Sequence, residues 1–122
     1  GNTAPYLQYA YTRIMSIFRR ATSDNELNNV AFRLEEPAEL ALAFKLLQYS
    51  EAVEGVTEDF QANVLCTYLF ELAGLFMSFY ESCPVLKADD ETRDSRLKLC
   101  DLSARTLKHG LGLLGINTVE QM

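Results

Sequence analysis

The sequence predicts an all-α fold, a helical bundle of four to five helices. Apolar residues recur at three- and four-residue steps through four windows, no window alternates with period two for long enough to compel a strand, and the prolines stand at the edges of those windows. By surface scaling, a chain of 122 residues should bury roughly 13,000 Å² on folding. That is enough for one core, so residues 1–122 read as one domain, without room for a catalytic module beside a recognition module.

The first helix is expected from Ala4 to Ala21, where Leu7, Ala10, Tyr11, Ile14, Ile17, Phe18 and Ala21 line one face. Thr3 suits its N-cap, and Pro5 falls in the first turn, where its missing N–H is not needed. Thr22 to Asn25 break the pattern, and the connection to Glu36 reads as a short helix and an extended piece near Val30 to Leu34. A second helix opens at Pro37, has Glu39 favouring its dipole, carries Leu40, Ala43, Phe44 and Leu47 on its apolar side, and ends near Tyr49. Glu51 to Phe60 reads as a short helix or turn closed by Gly55. From about Gln61 to Cys83 a helix apolar nearly all round is expected at the centre of the bundle, stopped by Pro84. Asp89, Asp90 and Glu91 place acid at the start of a last helix with Leu97, Cys100, Ala104, Leu107, Leu111 and Leu114 on its core face; Gly110, Gly112 and Gly115 then loosen the chain.

Composition excludes several classes. With 48% apolar and 23% charged residues the chain is an ordinary globular one, and no apolar run approaches the ~20 residues that cross a bilayer, so no membrane partner is expected. Three separated cysteines, without any C-x-x-C pair, fit neither a disulfide framework nor a zinc site, and point to a reducing, cytoplasmic setting. The start, GNTAPY, has no signal-peptide pattern and no initiator Met, which suggests a piece excised from a longer protein. No phosphate-cradling glycine loop, G-x-S-x-G elbow or H-E-x-x-H is present, so no catalytic residue is assigned. His109 is the single histidine and reads as a helix-end or solvent-facing residue; the thiols read as core fillers, and Asp89 to Glu91 as helix-start acids with no metal role.

The first helix carries something more specific. At 100° per residue Tyr6, Tyr9, Arg13, Ser16 and Arg20 fall on one stripe, displaced from the core stripe. Tyrosine rings offer platforms for unstacked bases and guanidinium groups hold phosphate, which suits single-stranded RNA. Phe76, Phe79 and Tyr80 form a second aromatic cluster. The bland reading of the same residues is core or rim tyrosines with a solvated arginine face. Arg93, Arg96, Lys98, Arg105 and Lys108, interrupted by Asp94 and Asp101, read as a solvated face with i,i+4 pairs. The net charge of −6 argues against a polyanion partner only if the acids are not gathered on another side, as Glu35, Glu36, Glu51, Glu54, Glu58 and Asp59 would allow.

Three segments, GNTAPYLQYA with Thr12 and Arg13, FYESCPVL at 79–86, and LLGINTVEQM at 113–122, with Ser95 to Cys100 and Thr106 to Lys108 between them, resemble the carboxy-terminal anticodon-binding domain of bacterial arginyl-tRNA synthetase, a class I aminoacyl-tRNA ligase. The resemblance implies the DALR-type helical bundle, which grips the anticodon loop of an arginine-accepting tRNA, not DNA, while a separate catalytic domain of the same chain activates arginine with ATP and Mg. The HIGH- and KMSK-type signatures of that domain do not occur here, so no cofactor is expected in this piece. Carried over by residue, the family's anticodon contacts fall on Tyr6, Arg13, Arg19, Tyr80 and Met122 with its terminal carboxylate. The helix stripe selects Arg20 rather than Arg19 and adds Tyr9, so the two readings differ there. The resemblance further implies that the middle anticodon cytosine is read, for which a carboxylate accepting from its exocyclic amine, with apolar contact from Met122, is a sound chemical basis. Gln121 stands where the family often has Arg, and Ser82 where His is frequent. The competing readings are a helical protein-interaction module, from another class, and the equivalent domain of another class I synthetase.

Overall fold

The computed structural model describes residues 3–21, 26–54, 61–116 and 118. Among them are five α-helices, α1 (Thr3–Arg20), α2 (Pro37–Leu47), α3 (Tyr49–Glu54), α4 (Gln61–Ser82) and α5 (Asp90–Leu113), and one 3-10 turn at Leu27–Asn29; none of the described residues forms a strand. The all-α expectation holds. Thr3 lies inside α1 rather than capping it; α2 ends at Leu47, close to the expected Tyr49, where the Gln48 N–H turns back to the carbonyls of Lys45 and Leu46, and the short helix expected from Glu51 begins at Tyr49.

Helix α4 is the axle: it packs against each of the other four α-helices. Leu65, Leu69, Leu72, Ala73, Phe76 and Phe79 are all sealed from solvent along it, and each such leucine or phenylalanine contributes about 1.5–3 kcal/mol on burial. Phe76 and Phe79 are therefore core, and of the second aromatic cluster only Tyr80 reaches the surface. One sequence expectation needs correcting: the stretch Ala62–Ser82 is long and apolar enough to span a bilayer by length and composition. In the bundle Leu65, Leu69, Leu72, Phe76 and Phe79 are covered by the neighbouring helices, while Asn63, Thr67, Glu71, Ser78 and Ser82 form an exposed polar stripe, so the helix is not apolar all round.

Helix α5 runs back along α4 and places Leu97, Cys100, Ala104, Leu107 and Leu111 in the core, as its spacing predicts. It continues through Gly110 and Gly112 instead of loosening there. Gly110 has a packing reason: a Cβ at this position would lie 2.8 Å from both terminal methyls of the fully buried Leu69. The helix ends at Gly115, whose φ of 77° closes a Schellman turn, with the Ile116 N–H donating to Leu111 O at 2.8 Å and the Gly115 N–H to Gly112 O at 3.0 Å.

Of the α5 cations read as a solvated face, Arg105 and Lys108 are exposed as expected, whereas Arg93, Arg96 and Lys98 are partly buried. Lys98 Nζ donates to Val30 O at 2.7 Å and sits 4.7 Å from the Phe32 ring centroid. The fully buried Ser95 Oγ accepts the Arg33 N–H at 2.8 Å, and the Arg33 guanidinium pairs with Glu91 at 2.9 Å. Together these strap the extended piece 30–34 to α5, which explains an extended backbone without a partner strand. Arg105, paired with Asp101 at 3.1 Å, makes the simple i,i+4 bridge that the spacing suggests.

The α2 expectation fails in one respect. Leu40, Phe44 and Leu47, read as core-facing, are exposed; Leu42 and the carboxylate of Glu39 face inward instead. His109 is exposed, with Nδ1 2.6 Å from the Tyr49 hydroxyl. Cys83 and Cys100 are buried, Cys66 is half-buried, and all three are free.

Two stability measurements follow from this packing. Gly110→Ala should lower unfolding stability by about 1–3 kcal/mol in urea titrations, because Leu69 has nowhere to retreat, whereas Gly112→Ala, which meets no atom within 4 Å, should raise it by about 0.5–1 kcal/mol. Burial, helped by Asp101, pushes the Cys100 thiol up to about 12. The unfolded chain then releases that proton first, so the thiol's contribution is complete below the ordinary value of 9.0 and fades as pH climbs towards 12. The urea midpoint should fall from pH 8 to pH 10, and fall less in Cys100→Ala; equal slopes would refute this assignment.

Candidate functional site

Helix α1 lies parallel to α4. Near its start the Tyr6 ring meets Phe70, centroids 5.2 Å apart and planes at 42°. At its end Arg20 Nη2 donates to the Tyr80 hydroxyl at 3.2 Å. Between these points Arg13 Nη1 donates to the Tyr9 hydroxyl at 3.0 Å, with the guanidinium carbon 5.7 Å from the ring centroid, so one turn of helix sets the cation over its own aromatic. Tyr6 and Tyr9 are 37% and 46% exposed, so neither ring is sealed inside the bundle. The residues Tyr6, Tyr9, Arg13, Arg20 and Tyr80 thus form one strip, about 21 Å from Tyr6 to Arg20 at 1.5 Å per helical residue.

Tyr80 is held more tightly than the others. Its ring lies 9° from parallel with Phe76, centroids 6.1 Å apart, and is half-buried. Because the hydroxyl accepts from Arg20, its own proton remains for donation elsewhere. Beside it opens a cavity of about 300 Å³ lined by Arg20, Tyr80, Pro84, Val85, Leu86 and Lys87. Aliphatic walls with two cations at the rim suit a planar, anion-bearing group. Arg19 is exposed and lies about 100° round the helix axis from Arg20. It is Arg20, the residue selected by the helix stripe, that touches Tyr80. Met122 lies outside the described residues.

The turn that closes this cavity is set from below. Glu39, buried in the first turn of α2, accepts the N–H groups of Glu35 and Glu36 on Oε1 at 3.2 and 2.8 Å, and the Arg96 guanidinium on Oε2 at 3.0 Å. Arg96 Nη1 then donates to Pro84 O at 2.6 Å. A carboxylate at the start of one helix therefore positions, through an arginine of another, the proline that ends a third.

Phe70 and Lys87 escaped the sequence reading. On a helix read as apolar nearly all round, nothing in the spacing singles out Phe70 as exposed, and Lys87 acquires a neighbour in Arg20 only through the turn at Pro84. Among the described residues no three His, Cys, Asp or Glu side chains come together as metal ligands.

A family model for the DALR anticodon binding domain matches residues 7–122. The chain belongs to the DALR anticodon-binding domain family. This DALR domain is 57% identical over 124 aligned residues to an arginine–tRNA ligase of Pseudoalteromonas atlantica and 56% identical over 122 to one of Haemophilus ducreyi; each match takes in 100% of the chain and 22% of the ligase. Its fold is similar to part of Thermus thermophilus arginyl-tRNA synthetase, with a TM-score of 0.87 and 38% identity over 100% of this chain and 21% of that one. The Plasmodium falciparum arginyl-tRNA synthetase gives a TM-score of 0.84 at 30% identity, over 100% of this chain and 22% of that one. The DALR domain thus spans about a fifth of the length of the ligases that it matches.

In the DALR domain, Arg96→Ala leaves the Glu39 carboxylate buried without its cation and should cost about 3–5 kcal/mol of unfolding stability. Replacing Arg96 and Glu39 together by leucine should recover part of that loss. A single-variant loss below about 1 kcal/mol in urea titration would show that the pair does not organise the turn.

Proposed function

We infer that residues 1–122 form the anticodon-binding domain at the carboxy-terminal end of a bacterial-type arginine–tRNA ligase. It supplies binding energy and base selection and performs no bond-making of its own. The observation that carries this reading is the exposed strip of tyrosines and arginines on α1, which ends at the cavity beside Tyr80, in a chain of the DALR family.

An anticodon has to be unstacked before its bases are read, and protein aromatics replace the lost stacking at about 1–3 kcal/mol per base. Tyr6 is the first platform, extended by Phe70. Tyr80 forms the wall of the second, where a base enters beside Leu86 and Pro84 with Arg20 and Lys87 reaching its phosphate. Arg13, set over Tyr9, meets the backbone between them. Arg19 flanks the same helix end and adds to the attraction of phosphate, while Met122 is assigned an apolar contact with the middle cytosine. Attachment of arginine to the tRNA belongs to the catalytic domain of the same polypeptide, which would hold ATP and Mg, and the whole works in the bacterial cytoplasm.

The net charge of −6 does not oppose this, since part of the acidic charge is neutralised in ion pairs of Arg33, Arg93 and Arg96 away from α1, while Arg13 and Arg20 line the strip.

In filter-binding assays with the arginine tRNA, Arg13→Ala and Arg20→Ala should each reduce the slope of log affinity against log salt by about 1. Tyr6→Ala and Tyr80→Ala should weaken binding by about 1–3 kcal/mol, with Tyr6→Ala leaving the melting temperature nearly unchanged. Affinity indifferent both to salt and to the anticodon sequence would overturn the proposal.

A further inference from the structure

Helix α2 turns an apolar face away from the bundle. Leu40, Phe44 and Leu47 recur at four- and three-residue steps and are 50%, 64% and 80% exposed. The surface continues into the extended piece: Leu34, Leu40, Phe44 and Leu47 share one shallow depression. Phe32, Leu34 and Leu47 share a second of about 330 Å³, floored by Leu99 and Leu102 of α5. Single exposed apolar side chains are ordinary, whereas three large ones in register beside an apolar recess mark a place where something packs.

The chemistry of the face excludes RNA as its occupant. Among the described residues neither depression is lined by a lysine or arginine. The nearby cations are committed elsewhere: Lys45 to Glu71 at 2.7 Å, and Lys98, over the Phe32 ring, to Val30 O at 2.7 Å. The face shares no residue with the strip on α1, so both can be filled at once.

We propose that the Leu40–Phe44–Leu47 face of α2, with Phe32, docks on an apolar surface of the catalytic portion of the same ligase polypeptide. The proposal rests on the reading of the chain as one domain of such a ligase. What selects this occupant is length: the chain spans 22% of the ligases that it matches, so nearly four fifths of such a polypeptide lies outside it. A tethered surface is present at high effective concentration, so a modest apolar patch suffices to hold it. The docked helix is also the one whose first turn carries Glu39, and through Arg96 it is joined to the Pro84 carbonyl beside the Tyr80 cavity. Docking therefore fixes the orientation of the base-reading end relative to the catalytic portion.

The test is maleimide labelling of Leu47→Cys in the full-length ligase and in the 122-residue chain, both carrying Cys66→Ser, with Arg105→Cys as the reference position. Position 47 should label at least tenfold more slowly in the full-length protein, while position 105 labels at equal rates in the two. Equal rates at position 47 overturn the proposal, and so does protection in the short chain that grows with its concentration, which would make a second copy the occupant. As a second readout, Phe44→Glu in the full-length ligase should speed proteolytic separation of the two portions, with little change in the melting temperature of the short chain; an unchanged cleavage rate counts against docking. Anticodon-dependent filter binding of the arginine tRNA by the unsubstituted proteins separates the two levels. If it is retained without protection at position 47, the docking face alone fails; if it is absent, the functional reading fails and the proposal with it.

Discussion

One buried ion pair holds the working end of this domain. A carboxylate removed from water is costly unless its lone pairs are filled, and Glu39 fills them with two backbone N–H groups and a guanidinium. The arrangement gains little net stability over apolar packing, but it is directional. It sets where α2 begins, which side of α5 faces it, and, through Arg96 and the Pro84 carbonyl, where the turn after α4 lies. The cavity beside Tyr80 is a consequence of that placement, because four of its six lining residues, Pro84 to Lys87, belong to the turn.

The distribution of charge follows the same economy. In a chain with eleven cations and seventeen acids, a polyanion would find little attraction if the basic residues were spread evenly. They are not. On α5, Arg96 and Lys98 cross to neighbouring segments and end on a carboxylate and carbonyls, so they act as ties rather than as a field. Arg13 and Arg20 of α1 lie with Tyr6 and Tyr9 along one side of the bundle. The α2 face shows the opposite case, apolar groups left outside because the interior is already filled by α4 and α5.

The candidate site was partly legible. Tyr6, Tyr9, Arg13 and Arg20 share a helix face by arithmetic alone, and the structure brings them into one strip ending at Tyr80. The choice between neighbouring arginines was legible only as a conflict, since a family pattern and an ideal helix selected different residues; the contact between Arg20 and Tyr80 crosses sixty positions of sequence. Phe70 was hidden because hydropathy does not distinguish an exposed phenylalanine from a buried one on an apolar helix. Leu40, Phe44 and Leu47 were misplaced, read as core-facing and found exposed.

By itself the sequence determined what local physics controls: the helical periods, the proline and glycine stops, and the stripe on α1, since these depend on residues within a turn or two of each other. Even there, Gly110 misled, because its reason is a leucine on another helix rather than its own backbone. Tertiary structure alone decided which apolar stripe faces inward, which cations are spent as internal ties, and which arginine meets Tyr80. Those outcomes depend on contacts between residues far apart in the chain, where a single surface can be covered only once and the helices compete for it.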